Sequence, residues 1–593
     1  MNLHLKSSLF QIDYPTVNLV NLFEFMLKNL RVFALLLCLL TFSVPASTQA
    51  QRQNFNRERT YDVQHYILRV SFDRKNKIVF GDTTVLLKPL QNNFKTLELD
   101  AAGLKFESVR LEAENKDLNY RQANSKIIIS LDQSYQEGKQ IAVRFKYSAK
   151  PLKGVYFVDA VVEKGKTIRP AQVWTQGEPD EAHHWFPSYD FPDDKATSEQ
   201  FITVEGNETA IGNGELIKKT KNRDGTLTFH YKMPVPHSTY LTSFVVGNYV
   251  RISDNYKNIP LGYYVYPGSE NVVPVAYGTT KDIFRIFEEL TGIDYPYNKY
   301  DQTIVANFQF GGMENITATT MADTEIFFSK INKSAVEDLV SHEIAHSWFG
   351  NLVTCKNWAE LWLNEGFATF MEAAYREKMY GRKEYMRKIR DDAFEFIISE
   401  AVIQRPHGLF NLTARDVNKL FETPAITYDK GGAVIHTLRE TVGDDAFWKA
   451  VNDYLERHKF GNVETTDLQR VMEEASGKNL DWFFKQWVYG TGFPKLEVKQ
   501  VYNPTDKKLS LTVSQTQKSK DLTPAVFQLP LEIEIQTSKG TKREKLHIKK
   551  RAQTFTVALN EEPKEILFDK DSKIPIMTVK QLPLIKADGR KAR

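Results

Sequence analysis

Apolar residues change their spacing twice along this chain, and those two changes limit the folds it can adopt. From about Arg57 to Val250, runs such as HYILRVSF, TTVLLKPL, KIIISL, IAVRFKY and TLTFHYKM alternate apolar with polar and are broken by turn clusters such as NKDLN and NRDGT. A two-residue period buries one face of a strand, so this part is predicted to be all β, with sheets packed face to face. From about Tyr277 to Val488 the period becomes helical, in KDIFRIFEEL, AVEDLVSHEIAHSWF and AAYREKMY. After Gly490 alternation returns in KLEVKQVY, KLSLTVSQ, LPLEIEIQT and EKLHIKK. The expected architecture is therefore α+β and multidomain: a leader over 1–50, an all-β domain over 51–250, a mostly helical domain over 251–492, a small β-sandwich over 493–580 and a tail over 581–593.

A length of 593 residues is far beyond one ordinary domain of roughly 100 to 200 residues. A hydrophobic content of 42% with 26% charged residues suits a soluble globular chain. The formal net charge is only +4, and no block of Lys and Arg marks a nucleic-acid or membrane-surface binder.

The leader carries a destination. From Met26, a second candidate start after Met1, a basic opening (Lys28, Arg31) precedes a 13-residue apolar run from Val32 to Val44 and small residues up to Ala50. That run falls short of the roughly 20 residues of a membrane-spanning helix. It is predicted to be a secretory signal peptide over 26–50, cleaved near Ala50, with an uncleaved anchor as the alternative. The expected location is the bacterial periplasm or the outside of the cell, with no stable membrane span once the signal is gone. Of the two cysteines, Cys38 leaves with the signal, and Cys355 alone cannot form an internal disulfide.

Chemistry concentrates in the helical part. In HEIAH, His342 and His346 are four residues apart, so on a helix both imidazoles project from one face and can hold one metal ion. Glu343 is turned about 100° from His342 and can reach a water on that metal without ligating it. Ser334 and Glu337 are predicted to cap the start of this helix as a capping box, and Gly350 to stop it. Asn357 and Glu360 open a second helix, closed by Gly381, in which Glu365 follows His346 after 18 intervening residues. Its neighbours Leu361, Trp362, Leu363, Phe367 and Phe370 would bury it, and a buried carboxylate needs a partner such as a metal. Two imidazoles, one carboxylate and an open position suit catalytic zinc. A third histidine six residues past His346 would mark a metzincin, but Leu352 stands there. From the residues alone, two surface histidines beside a solvated glutamate remain an alternative.

Together, HEIAHSWFGN, WLNEGFA and FGGMEN resemble the gluzincin zinc aminopeptidases of the aminopeptidase N and leukotriene hydrolase type, over about residues 57 to 580. The resemblance implies an N-terminal β-sandwich or saddle domain, a thermolysin-like catalytic domain and a C-terminal β-sandwich, without the large C-terminal helical domain of many relatives. It implies one zinc ion per chain on His342, His346 and Glu365, Glu343 as general base, and Tyr428 in TYDKGG as stabiliser of the oxyanion. Glu314 and Glu178 would grip the free amino group of a peptide substrate, with Gln176, Gly311, Gly312 and Met313 lining the peptide's path. Two carboxylates facing an ammonium, at roughly 1.5 to 3 kcal/mol for each charge-assisted hydrogen bond, would favour free N-termini about 10² to 10⁴-fold. Peptides with a free N-terminus are the implied partners. The chain departs from the family at Gly312, where many relatives carry alanine, and at HHWFPSYDFPDD, where they commonly carry an arginine and a cysteine. An endopeptidase, a bifunctional aminopeptidase and epoxide hydrolase, and an inactive zinc-binding module are the competing readings.

Overall fold

The strands of the N-terminal third follow from their alternation. In β1 (Tyr61–Asp73) the buried side chains are Tyr61, Val63, Tyr66, Leu68 and Val70, and a bulge between Val63 and His65 shifts the phase once. The computed structural model describes residues 55–587 except 401, 404, 405 and 521. The signal sequence expected at 26–50, Cys38 and the end of the tail lie outside these. No helix among the described residues is long and apolar enough to cross a membrane.

An eight-stranded sheet carries β1 at its centre. A smaller four-stranded sheet holds β2 (Gln172–Thr175), buried along its whole length between Val155–Val158 and Phe244–Gly247. The chain leaves β2 directly into Gln176 and Glu178, so a fixed strand aims both. In the large sheet β1 pairs in parallel with β3 (Ala196–Val204), and the apolar faces of the two sheets share one core, including Val63, Phe145, Val173, Trp185 and Val246.

The helical domain opens with a five-stranded sheet in the order Val250–Tyr256, Ile259–Val265, β4 (Tyr300–Val305), β6 (Ala318–Ala322), β5 (Gly312–Met313). β4 and β6 are buried throughout. β5 is the edge: it pairs antiparallel with β6 through Gly312↔Met321 and Met313↔Thr320. One side of β5 is therefore free to pair with a peptide backbone.

Four helices complete the frame: α1 (Lys333–Ala345), α2 (Trp362–Tyr380), α3 (Arg382–Glu400) and α4 (Gly431–Val442). The expected capping box at α1 does not form. Asn332 is the N-cap, accepting from the Ala335 amide at 3.2 Å. Ser334 lies inside the helix, where its hydroxyl accepts from Arg376, and Glu337 accepts from the Tyr380 hydroxyl at 2.8 Å. Tertiary partners on α2 thus take both groups. α1 also ends at Ala345, before Gly350, because Asn351, Leu352 and Val353 donate back to His346, Ser347 and Trp348 in wide turns. The second predicted helix begins as a short 3₁₀ turn at Trp358–Glu360, capped by Asn357, before α2 proper. α2 is buried from Trp362 to Arg376. At Gly366 its backbone meets Gly431 so closely that a Cβ on Gly431 would lie 2.8 Å from Gly366 Cα. These two glycines let the start of α4 rest on α2.

Beyond the last helix, Asp481–Trp487, a five-stranded and a three-stranded sheet supply alternating buried residues, among them Leu509, Leu511, Val513, Leu531, Ile533 and Ile535. No helix follows them among the described residues. The His436 ring on α4 joins this part to the helical domain, with Nδ1 2.6 Å from the Tyr385 hydroxyl and Nε2 2.9 Å from the Ser572 carbonyl.

Candidate active site

All eleven side chains and glycines expected at the site line one cavity of about 480 Å³. α1 supplies His342, its C-cap is His346, and the first turn of α2 supplies Glu365. Glu365 Oε2 lies 3.2 Å from His342 Nε2 and 3.4 Å from His346 Nε2. The three ligand atoms fall within 4.8 Å of one another.

What holds the imidazoles was not read from the sequence. His342 Nδ1 is 2.8 Å from Glu372 Oε1, and His346 Nδ1 is 2.9 Å from the Phe349 carbonyl. Both partners are acceptors, so each Nδ1–H donates to them and each Nε2 is turned toward Glu365. Glu372 in turn binds Lys388 on α3 at 2.9 Å, and Lys388 binds Asp392 at 2.6 Å. Glu372 lies seven residues, two helical turns, past Glu365 on the same face of α2; that spacing is the signal that would have found it.

The charges have one sense. Burial disfavours an imidazolium at His342, but its hydrogen bonds to Glu365 and Glu372 outweigh this and push it up to about 9. Burial disfavours the charge of Glu365 as well, yet the two histidines bring it down to about 2. The cluster is built to hold positive charge among carboxylates. Once each Nε2 gives up its proton, two imidazoles and a carboxylate converging on one point meet the donor set of a catalytic zinc site.

Glu343, Glu178 and Glu314 sit around this centre. Glu343 is 4% exposed, its Oε2 has no hydrogen-bond partner, and burial raises it to about 8 despite both histidines. Gly312 lies against it: a Cβ there would overlap Glu343 Oε1. Here the residue does more than leave room for a peptide; it leaves room for Glu343. Glu314 follows β5 and is held by Asn351, whose Nδ2 donates to the Glu314 carbonyl at 2.9 Å. Asn351 and Leu352 are themselves fixed through their carbonyls by Lys195 Nζ, at 3.1 and 3.2 Å. Glu178, Glu314 and Glu365 offer oxygens within 4.8 Å of one another. Glu178 Oε1 and Glu314 Oε1 are buried without a hydrogen-bond partner, Glu314 Oε1 lying 3.9 Å from His346 Nδ1, and burial raises both carboxyls, Glu178 the more strongly with Glu314 beside it. Gln176 Nε2 donates to Met313 Sδ at 3.2 Å, which ties the end of β2 to β5. None of residues 183–194, the stretch that departs from the family, lines the cavity.

Tyr428 occupies a π-helical turn, Ile426–Lys430, ahead of α4. Its ring stacks toward His342 with centroids 6.0 Å apart. Burial holds its hydroxyl well above 10, so it stays protonated and able to donate.

Two family descriptions match the chain: Peptidase M1 N-terminal domain over residues 62–241 and Peptidase family M1 domain over residues 275–487. Aminopeptidase 2 of Candida albicans is 28% identical over 494 residues, 80% of this chain and 52% of that protein. Glutamyl aminopeptidase of Bos taurus is 32% identical over 60% of this chain and 38% of its own length. For aminopeptidase N of Streptomyces lividans the figures are 33%, 57% and 39%. The chain thus spans about half or less of the length of these relatives. With matched regions over both the N-terminal β part and the helical part that carries His342, His346 and Glu365, the chain belongs to peptidase family M1.

Proposed function

We propose that the protein is an exported zinc aminopeptidase that removes the N-terminal residue of peptides. The observation that carries this reading is the pair of buried carboxylate oxygens on Glu178 and Glu314 that have no hydrogen-bond partner, next to the donor set of His342, His346 and Glu365. A buried carboxylate without a partner is costly, and a substrate ammonium is the partner that fits. The free side of β5 would align the peptide, so the first peptide bond falls at the metal ligands.

Zinc, when bound by His342, His346 and Glu365, would supply Lewis-acid activation of a water and of the scissile carbonyl. Glu343, close to the ligands and shielded from solvent, takes the proton of the attacking water and returns it to the leaving amine. The protonated Tyr428 hydroxyl donates to the oxygen that gains charge. Glu372 and the Phe349 carbonyl keep both imidazoles in the tautomer a metal needs.

Metal analysis of the purified protein, beside hydrolysis of an amino-acid anilide panel, tests this reading. The expected result is one zinc per chain, with anilide cleavage lost on chelation and restored by zinc. Failure to retain zinc, or no cleavage by the zinc-loaded protein, would overturn it.

A further inference from the structure

The cavity does not end at the metal ligands. Its lining continues past the Nδ1 side of His342 to Thr369 and Glu372 of α2, Lys388 of α3 and Asp429, whose strongest charged neighbours are Asp392, Lys388, Glu372 and Glu395. A peptide held by its amino group at Glu178 and Glu314, with its first bond at the metal ligands, must send its next residue this way; an extended chain advances about 3.4 Å per residue. The charges at this end do not balance. Asp338 is paired with Arg376 at 2.5 Å, and the single ammonium of Lys388 is shared by Glu372 and Asp392. No hydrogen bond or ion pair among the described residues reaches the Asp429 carboxylate, although Asp429 adjoins Tyr428 and lines the cavity. Burial, with Asp392 nearby, pushes Asp429 up to about 8 although Lys388 opposes it, so an incoming cation would draw the proton off. A second group points the same way: Thr369, 3% exposed and lining the same end, has a buried Oγ1 with no partner. Leu339 and Phe421, which also line the cavity, lie instead against Gly311 and Phe310 beside β5.

Resting on the aminopeptidase reading, we infer that this end of the cleft is a subsite for a basic second residue, the one immediately after the cut. The cationic head of a lysine or arginine would reach Asp429, a carboxyl with no hydrogen-bond or ion-pair partner among the described residues. Asp429 is thereby a specificity-determining residue, distinct from the amine grip of Glu178 and Glu314.

The test uses the zinc-loaded full chain on tripeptides that differ only in the middle: Leu-Arg-Gly, Leu-Lys-Gly, Leu-Gln-Gly and Leu-Glu-Gly. The expected kcat/KM for Arg or Lys exceeds that for Gln by about tenfold, a single desolvated charge contact, with Glu last. The ratio should shrink as salt rises, a readout on the wild-type protein that does not depend on any variant folding. Within Asp429→Asn the Arg-to-Gln ratio should fall toward one, and within Asp429→Lys the Glu peptide should overtake the Arg peptide. Leucine anilide separates the two readings. If the anilide is cleaved but the middle residue makes no difference, or the preference survives in Asp429→Asn, this subsite is wrong and the aminopeptidase reading stands. If neither anilide nor tripeptides are cleaved, both readings fall.

Discussion

The two functional ends of the cleft are built in opposite ways. At the metal end both imidazoles are held from behind: His342 by Glu372, itself paired with Lys388, and His346 by the Phe349 carbonyl. At the amine end, Glu178 and Glu314 keep buried oxygens with no hydrogen-bond partner. The metal end comes from two adjacent helices, whereas the amine end joins a strand exit of the N-terminal part to an edge strand of the helical part. The difference is one of purpose. Metal ligands need a fixed geometry and tautomer, and a substrate anchor needs unspent hydrogen-bonding capacity.

That contrast breaks if changes at the two ends have the same consequences. The largest effect is expected for Glu343→Gln, which removes the base: kcat should fall about 10² to 10⁴-fold on every substrate, with zinc content unchanged by metal analysis. Next, Glu314→Gln should lower kcat/KM by about 10 to 200-fold on free-amine anilides, the loss of one charge-assisted contact. Acetylated anilides should hardly respond, which distinguishes an anchor from a ligand. Glu372→Gln should weaken zinc affinity by about 10 to 100-fold in chelator competition, while kcat recovers at saturating zinc. The smallest change, a few-fold in kcat, is expected for Gly312→Ala, because the Glu343 carboxylate must turn aside from the new Cβ. Zinc affinity of that variant should be unaltered. Wild-type kinetics in the Gly312→Ala enzyme would show that Glu343 moves freely at this site.

How legible each end was in the sequence follows from the same contrast. His342, Glu343 and His346 are local: helical geometry fixes their relative directions before any tertiary structure exists. Glu365 was found because apolar neighbours marked it as buried. Glu178 and Gln176 had no such signal, since their meeting with Glu314 depends on the packing of β2 near β5, and only the family resemblance pointed to them. Ser334 and Glu337 fitted the pattern of a capping box, but Arg376 and Tyr380, 42 and 43 residues away, claimed those side chains. Glu372 was overlooked although its seven-residue spacing from Glu365 was visible. The close approach of Gly312 to Glu343 arises across a strand and a helix, and no spacing in the sequence encodes it. For the order of β, helical and β regions the period of the apolar residues sufficed, because burial of one face is decided strand by strand and helix by helix.

The most direct test of the central claim is the ratio of kcat/KM for leucine anilide to that for its N-acetylated twin, measured on the zinc-loaded wild-type protein with and without chelator. Two buried carboxylates waiting for an ammonium should give a ratio of about 10² or more, with both rates abolished by chelation. Equal cleavage of the two anilides would contradict the account, because Glu178 and Glu314 would then not be reading the amine.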